Sequence, residues 1–246
     1  MKVSIIIPCK NGLKWLKNSI PIFFHQNGIQ DVELIILDSG STDGLKNHID
    51  SLPNLRIKYI SVDPTEFNHV STRNLGVINA SNEIIVFTVQ DATPIGFDWL
   101  ISLVEPLISD NLDAVCGSQV VLKDQNKNPI EWHRPIDRPS ISKISITPKE
   151  FSKLSPLEKK RLTGWDNVNA AYKKSSLKNL PFKEVIFGED AYWAVEALNS
   201  GFTLAYTSFS QVDHYHHYTK IQFKSRYLAE FYLFKKLYNL EPEKKN

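Results

Sequence analysis

The chain has only two cysteines, Cys9 and Cys116, and both lie inside apolar runs that predict strands. This usage argues against a disulfide framework and predicts buried, reduced thiols. No apolar run reaches the ~18 residues that a membrane-spanning helix needs. No basic segment followed by a signal-type apolar core opens the sequence. We therefore expect a cytoplasmic protein.

An excess of charge of one sign is also missing, because 29 Lys and Arg residues nearly balance 27 Asp and Glu residues. The formal net charge of +2 gives no strong footprint for nucleic acid, and we expect no nucleic-acid partner. A glycine-rich, basic phosphate loop is absent near residue 10, which disfavours a nucleotidyltransferase. The 246 residues are 42% hydrophobic and 23% charged, as in an ordinary globular protein with a large core.

Short apolar runs alternate with helical patterns through the first half of the chain. Near-continuous Val and Ile runs separated by helices predict an α/β fold with a mostly parallel sheet covered on both faces. Ligands of such sheets bind beyond the carboxyl ends of the strands. Strands are predicted at residues 3–8, 32–37, 56–61, 83–89 and 114–122, and helices at residues 13–24, 70–79 and 99–108.

The second half is less regular, and residues 123–164 predict a loop-rich region with one short helix near 155–162. No internal repeat or linker divides the chain, so we expect one domain over residues 1–246. Its predicted parts are a nucleotide-binding half (1–122), an acceptor and catalytic half (123–219) and a C-terminal helix (220–246). Further predicted elements are strands at 168–172 and 203–207 and helices at 190–199 and 220–239.

Two acidic motifs lie where strands end. Asp38 and Ser39 open a Ser/Thr/Asp/Gly cluster, which predicts either a capped turn or contacts to a nucleoside base. Asp91 follows Gln90 after the fourth strand, where it could cap a turn or bind a hard cation such as Mg²⁺ together with phosphate oxygens.

A third acidic motif, Glu189–Asp190, follows Gly188 at a predicted helix start. Carboxylates in a first helical turn are stabilised by the helix dipole, so capping alone could explain them. The alternative is a general base that accepts a proton from an acceptor hydroxyl. Trp193 on the next turn could form a wall of that site or pack in the core.

Histidines cluster at residues 214–217, with His214 and His216 alternating in a predicted extended segment. Alternate residues of such a segment project to one side, so the two imidazoles could share a metal or phosphate. A structural zinc site is disfavoured, since no cysteine pair is nearby. Arg73, on the helix before the fourth strand, could neutralise a phosphate, pair with Asp38 or remain solvated.

The final helix carries an aromatic stripe flanked by lysines. It predicts either packing on the core or a basic amphipathic helix on an anionic membrane. The stripe consists of Phe223, Tyr227, Phe231, Phe234 and Tyr238.

These motifs, in this order, resemble those of the family 2 glycosyltransferases with the GT-A fold, over residues 3 to about 219. Within that family the chain is most similar to bacterial rhamnosyltransferases. The motifs that carry the resemblance are SIIIP at 4–8, DSGSTDG at 38–44, FNH at 67–69, TRNLG at 72–76, QDATP at 90–94, NVNAAY at 167–172, GED at 188–190 and HYHHY at 214–218.

The resemblance implies an inverting, metal-dependent transferase with Asp190 as catalytic base and Mg²⁺ or Mn²⁺ held by Asp91 and His214. It implies a nucleotide-sugar donor, dTDP-rhamnose before UDP-sugars, and a glycan or lipid-linked glycan acceptor. The implied nucleotide-sugar contacts are Pro8, Cys9, Asn11, Asp38, Ser39, Arg73, Gln90 and Asp91. The implied acceptor and sugar contacts are Asn167, Asn169, Glu189, Trp193 and His216.

The chain departs from the wider family at two places, where Val89 replaces the first carboxylate of the metal motif and Ser39 replaces an aspartate. It departs from the rhamnosyltransferase pattern where Val70 and Ser71 stand in place of two glycines. A transferase that uses another UDP- or GDP-sugar would share every motif. A non-catalytic carbohydrate-binding module would need neither the base nor the cation.

Overall fold

A computed structural model of the chain describes residues 1–240. Within this part, nine strands form a single sheet. The strands are β1 Lys2–Cys9, β2 Asp31–Asp38, β3 Ile57–Ser61, β4 Ile84–Thr88, β5 Thr93–Pro94, β6 Ala114–Val120, β7 Ile141–Ile144, β8 Asn169–Lys173 and β9 Leu204–Asp213. The helices are α1 Leu13–Phe24, α2 Leu45–Asp50, α3 His69–Asn79, α4 Trp99–Ser109, α5 Pro148–Lys153, α6 Pro156–Leu162, α7 Lys174–Asn179, α8 Glu189–Asn199 and α9 Lys220–Tyr238, with a 3₁₀ turn at Pro129–Glu131.

The strand order in the sheet is β3-β2-β1-β4-β8-β6-β9-β5, and β7 pairs with β9 outside this path. Pairing is parallel among β3, β2, β1 and β4, and again between β6 and β9. β8 is antiparallel to both β4 and β6, and β5 and β7 are antiparallel to β9. The predicted α/β fold, a sheet flanked by helices, is confirmed.

Strand β1 illustrates how the apolar runs build the core. Val3, Ile5 and Ile7 are fully buried on one face with side chains of α1 and α4, whereas Ile6 is buried on the opposite face with side chains of α3 and α8. Because helices cover both faces, the strand carries a continuous apolar run instead of an alternating one. α3 approaches the sheet closely at Gly76, where an added Cβ would lie 2.5 Å from Ile6 Cγ2.

The second half contains more regular structure than predicted. β9 has ten residues, whereas five were predicted, because β6 and β7 pair with it. The region expected to hold one short helix contains β7 and α5 as well as α6. Each of the two helices starts with a proline and a capping box, formed by Thr147 with Glu150 and by Ser155 with Glu158.

Helix α9 confirms the predicted C-terminal helix, and residues 241–246 of the predicted segment lie outside the described residues. Its aromatic stripe packs only in part: Tyr238 is buried and its hydroxyl lies 2.7 Å from Thr163 Oγ1, but Phe223 is 60% exposed. In the part of the chain that the structure describes, no helix is both long and apolar enough to span a bilayer.

The topology assembles several chain segments at one edge of the sheet. β1, β2, β4, β6 and β9 all run in the same direction, so their carboxyl ends share an edge, and the antiparallel β8 begins there. We call this the crevice edge. The segments that meet there follow Cys9, Asp38, Thr88, Val120 and Asp213, or precede Asn169.

Candidate functional site

Three side chains at the crevice edge could hold a metal ion. Asp91 follows β4, and His214 and His216 follow β9. Asp91 Oδ1 lies 3.6 Å from His214 Nε2, and Asp91 Oδ2 lies 3.4 Å from His216 Nδ1. One ligand atom from each residue falls within 4.8 Å of the other two. The prediction that the two imidazoles project together is confirmed.

Hydrogen bonding fixes the tautomer of His214. Its Nδ1 lies 2.6 Å from Oε1 of Gln119, and the Gln119 side chain also hydrogen-bonds the Asp166 carboxyl group. Because Oε1 only accepts, Nδ1 donates, and in the neutral form of the ring the lone pair of Nε2 faces Asp91. Nε2 is buried and has no hydrogen-bond partner.

The electrostatics of the cluster suit a cation. Burial would raise the pKa of Asp91, but the neighbouring rings of His214 and His216 lower it. Burial and the neighbouring His214 lower the pKa of His216. The site therefore offers an ionised carboxylate beside two imidazole rings. Cation ligands about 2.1 Å from a metal at right angles lie roughly 3 Å apart, close to the separations observed here.

A second acidic group, Asp190, lies at the start of α8. Gly188 precedes the helix with φ +75°, a conformation that favours glycine, and an added Cβ would approach Leu233 Cδ2 of α9 to 2.7 Å. Asp190 Oδ2 accepts from Asn167 N at 3.1 Å, and Oδ1 accepts from Ala191 N at 2.9 Å. The carboxylate thus caps the first turn and also faces the start of β8.

The surroundings of Asp190 favour its neutral form. Burial and the adjacent negative charge of Glu189 raise the pKa of Asp190 to about 7, whereas Arg73 acts in the opposite direction. Asp190 as a whole residue is only partly buried. A carboxylate with a pKa near neutrality can exchange a proton with a hydroxyl bound within hydrogen-bond reach.

Asp166 joins the two acidic sites. Its charge acts on Asp190, and Gln119 connects its carboxyl group to His214. Between them, Asn167 is 1% exposed, and its Oδ1 accepts from the Tyr172 hydroxyl at 2.6 Å. Asn167 Nδ2 is buried without a partner, so a donor is left over beside the carboxylate.

The loops predicted to contact a nucleotide are held mainly by bonds to one another. Pro8 and Cys9 belong to β1 and are buried, so their side chains do not reach the crevice. Asp38, also buried, accepts from the Tyr59 hydroxyl at 2.7 Å and from Ser41 N at 2.9 Å. Ser39 donates to the Cys9 carbonyl. In this structure the side chains of Asp38 and Ser39 brace the loops, and the nucleotide contacts expected of these four residues stay a prediction.

Asn11 and Gln90 tie neighbouring loops together from more exposed positions. Asn11 has a left-handed backbone with φ 52°, and its Oδ1 accepts from Thr42 N at 2.8 Å. The Gln90 amide pairs with the backbone of Lys10, with Oε1 2.8 Å from Lys10 N and Nε2 3.2 Å from Lys10 O. Hydrogen bonds within the protein therefore cross-link the crevice ends of β1, β2 and β4.

Two residues predicted to contact sugars are core residues. Trp193 is 1% exposed among aromatic rings, and its Nε1 donates to the Leu180 carbonyl. Asn169 has no exposed surface; its Oδ1 accepts from Trp99 Nε1 and its Nδ2 donates to Ser210 O. Both expected sugar contacts are wrong, because packing on both faces of the sheet leaves these side chains no path to solvent.

Arg73 also differs from expectation, since it is 6% exposed and its Nη1 donates to Glu189 Oε1 of α8 instead of pairing with Asp38. Sequence reasoning missed two residues of the site, Gln119 and Asp166, and it missed the partnership of Glu189 with Arg73. Gln119 lies one residue before the end of β6, so its position at a strand end was a usable signal. No sequence pattern marks Asp166.

The helix-flanked sheet, with acidic side chains at the carboxyl ends of its strands, has the architecture of the glycosyltransferases with the GT-A fold. Residues 4–181 match the model of Glycosyl transferase family 2, and the chain belongs to that family. The match covers β1 through α7 and stops before Asp190 and the histidine pair.

Two curated relatives extend the similarity over the rest of the chain. The O-antigen chain rhamnosyltransferase RfbN of Salmonella typhimurium is 31% identical over 92% of this chain and 70% of the relative. The O-antigen chain rhamnosyltransferase WbaN of Salmonella anatum is 29% identical over 91% of this chain and 69% of the relative.

Solved structures share the fold at low identity. The mannosyltransferase PcManGT from Pyrobaculum calidifontis, in complex with GDP-Man and Mn²⁺, superposes with a TM-score of 0.67 at 18% identity over 98% of this chain. S. aureus TarS 1–349 in complex with UDP-GlcNAc gives 0.66 at 17% identity over 96%. This chain spans 65% of each of those two solved chains.

Proposed function

We propose that this protein transfers a rhamnosyl group from dTDP-rhamnose to a hydroxyl group of a glycan under construction. The observation that carries the proposal is the placement of Asp190 and the Asp91–His214–His216 cluster at one edge of the sheet, joined through Asp166 and Gln119. The names of the two Salmonella relatives support rhamnose as the sugar and a growing O-antigen-type glycan as the acceptor.

In the proposed reaction Asp190 is the general base. The acceptor oxygen attacks the anomeric carbon on the face opposite the diphosphate, and its proton passes to Asp190. The new bond joins this oxygen to the anomeric carbon as the bond from that carbon to the diphosphate oxygen breaks, so the anomeric configuration inverts. The backbone N–H of Asn167 donates to the Asp190 carboxylate and fixes its orientation.

Asp91, His214 and His216 would hold a divalent cation, which when bound offsets the charge of the departing nucleoside diphosphate. The orphaned Nε2 of His214 supports this assignment, because a buried acceptor without a partner is uncommon unless a ligand completes it. Two imidazoles beside one carboxylate favour Mn²⁺ over Mg²⁺, since Mg²⁺ prefers an all-oxygen shell.

The test combines turnover and binding on the purified chain. We expect Asp190→Asn to lower dTDP release from dTDP-rhamnose on the order of a hundredfold or more, with dTDP affinity nearly unchanged. Glu196→Gln, which removes an acidic group from the exposed part of the same helix, is the matched control and should retain turnover. Turnover at the wild-type level in Asp190→Asn would overturn the base assignment.

A transferase for a UDP- or GDP-sugar is the second candidate, because the structural neighbours hold UDP-GlcNAc and GDP-Man. A thermal-shift comparison of dTDP, UDP and GDP, each with and without Mn²⁺, separates the donors, since a ligand stabilises the folded state according to its affinity. Preferential stabilisation by UDP or GDP would exclude dTDP-rhamnose as the donor. Identical shifts with and without Mn²⁺ would exclude the cation site.

We also propose that α9 lies on an anionic membrane surface. Ile221, Leu228 and Tyr232 are 80%, 43% and 66% exposed and share one helix face, as their spacing of seven and four residues requires. Lys220, Lys224 and Arg226 are exposed on the same helix. Apolar side chains with flanking cations bind the interface of anionic bilayers.

The membrane proposal is tested by co-sedimentation with phosphatidylcholine vesicles with and without phosphatidylglycerol. We expect binding only to the anionic vesicles, and loss of binding in Ile221→Ser/Leu228→Ser. Ile78→Ser on α3, which removes an equally exposed isoleucine elsewhere, is the control. Equal binding of the double variant and wild type would exclude α9 as the contact.

A further inference from the structure

A buried ion pair joins α3 to the helix that carries the proposed base. Arg73 Nη1 donates to Glu189 Oε1, and the two side chains are only 7% and 11% exposed. Arg73 lies near the middle of α3, 116 residues before Glu189 in the sequence. The pair therefore ties two separate elements together beside the crevice.

Glu189 is the first residue of α8 and Asp190 is the second. Gly188 provides no side-chain cap for this helix, so the first turn depends on other contacts. Asp190 is held from the β8 side by Asn167 N, and Glu189 is held from the α3 side by Arg73. The two adjacent carboxylates are thus anchored on opposite sides.

Several charged or titratable groups surround Asp190 on the elements packed against it. Arg73 is the single cation among those identified in the described residues, and Glu189 and Asp166 carry the nearest negative charges. The uncharged titratable groups that interact with Asp190 are Cys116 of β6, Tyr172 of β8, Tyr206 of β9 and Tyr238 of α9.

We propose that the Arg73–Glu189 pair is a positioning device that fixes the first turn of α8 and balances two opposed charges against the Asp190 carboxylate. Without Glu189, the positive charge of Arg73 would favour the ionised form of Asp190. Removing Arg73 would leave two negative neighbours and favour its protonated form. The inference rests on the proposed function of Asp190 as the general base. It assigns Arg73 to the positioning of Asp190 and not to binding of the nucleotide.

The burial of Arg73 supports this assignment over phosphate binding. Its guanidinium group is engaged by a carboxylate that neutralises it, and Nε is buried without a partner. A phosphate would have to displace Glu189 to reach the same guanidinium nitrogens. A free phosphate-binding arginine would instead present its guanidinium group to the crevice.

The experiment follows the Asp190 carboxyl group directly by ¹³C NMR of the full chain labelled at aspartate carboxyl carbons, with Asp190→Asn to assign the signal. The titration runs from about pH 4 to about pH 9 in wild type, Glu189→Gln, Arg73→Met and Arg73→Met/Glu189→Gln. Opposite charges a few ångströms away typically move such a midpoint by about one pH unit or more. We expect a downward shift of about one unit in Glu189→Gln and an upward shift of similar size in Arg73→Met.

The double variant guards against misfolding, because it leaves neither charge buried alone. Its midpoint should return to within about half a unit of the wild type, since the two opposing effects are removed together. Arg73→Lys should restore most of the wild-type midpoint. Glu196→Gln, farther along α8, should not move it.

Midpoints that move in the same direction in Glu189→Gln and Arg73→Met, or that do not move, would overturn the inference. Loss of dTDP affinity in Arg73→Met with an unchanged midpoint would assign Arg73 to phosphate binding. The readout is independent of turnover: opposed shifts without transfer from any donor would leave the inference standing while the proposed function fails.

Discussion

The two edges of the sheet differ in how fully their buried polar side chains are hydrogen-bonded. At the edge where β1 and β2 begin, which we call the closed edge, Glu33 has no exposed surface and every oxygen of its carboxylate is used. Oε2 accepts from Ser4 Oγ at 2.5 Å and from Ser81 N at 2.7 Å, and Oε1 accepts from Ser81 Oγ and Lys58 Nζ at 2.8 Å. Asn82 completes the network by donating to Val3 O.

At the crevice edge, in contrast, buried polar atoms lack partners. In the part of the chain that the structure describes, four buried polar atoms near this edge have no hydrogen-bond partner: Arg73 Nε, Thr88 Oγ1, Asn167 Nδ2 and His214 Nε2. Every side chain of the closed-edge network has a partner. Satisfied polar groups stabilise a fold, and orphaned ones in a native protein call for another explanation. The comparison shows that the two edges differ in how completely their buried polar atoms are hydrogen-bonded.

The largest expected effect comes from breaking the closed edge. Glu33→Gln removes a buried charge that pairs with the half-exposed Lys58 and Arg56, and we expect the free energy of unfolding to fall by about 2 kcal/mol at pH 7. Urea unfolding followed by fluorescence measures this loss. Mn²⁺ and dTDP affinity should remain unchanged. A loss below about 1 kcal/mol would show that the network contributes little.

The same variant has a defined pH dependence. Burial would raise the pKa of Glu33, but hydrogen bonds from Lys58, Ser4 and Ser81 lower it to about 2, against an ordinary 4.5. Because the folded-state pKa is lower, the stabilisation is present above about pH 4.5 and disappears as the pH falls toward 2. The stability gap between wild type and Glu33→Gln should therefore narrow across this window.

The contrast between the edges also separates what the sequence could predict from what it could not. Continuous Val and Ile runs predicted β1, β2 and β4, because strands buried on both faces leave an unmistakable apolar signal. Strand-end positions then predicted Asp91, and period-two spacing predicted the shared side of His214 and His216. These predictions depend only on local pattern and on the common direction of parallel strands.

Contacts between distant elements could not be predicted in this way. The extension of β9 depends on pairing with β6 and β7, and neither partner is visible from the segment itself. From the sequence alone, Arg73 could be an exposed charge on a helix. It is buried with Glu189 only because α3 packs against α8. Asn169 looked like a polar site residue because the sequence cannot show that Trp99 and Ser210 enclose it.

A smaller effect is expected from Gln119→Leu at the crevice edge. The substitution removes the acceptor that holds His214 Nδ1, and outer-shell partners of metal-binding histidines typically contribute about 10- to 100-fold in affinity. We expect Mn²⁺ affinity to fall by about tenfold in isothermal titration calorimetry, with little change in stability. Gln30→Leu, an exposed glutamine at the closed edge, is the control. Equal affinity in both variants would contradict the proposed cation site.

The smallest expected effect has the opposite sign from that of Glu33. Burial and Glu189 raise the pKa of Asp190 to about 7 from an ordinary 3.8, so ionised Asp190 destabilises the folded state. Because the folded state binds the proton more tightly, this cost grows as the pH rises from about 4 through 7.

Asp190→Asn removes the charge but leaves one of two backbone donors, Asn167 N or Ala191 N, with a poorer acceptor. We therefore expect the variant to be more stable than wild type by about 1 kcal/mol at pH 8, and the advantage to vanish near pH 4. Urea unfolding at both pH values measures the difference. A variant that is less stable than wild type at pH 8 would place Asp190 with the stabilising carboxylates of the closed edge and contradict its role as a base.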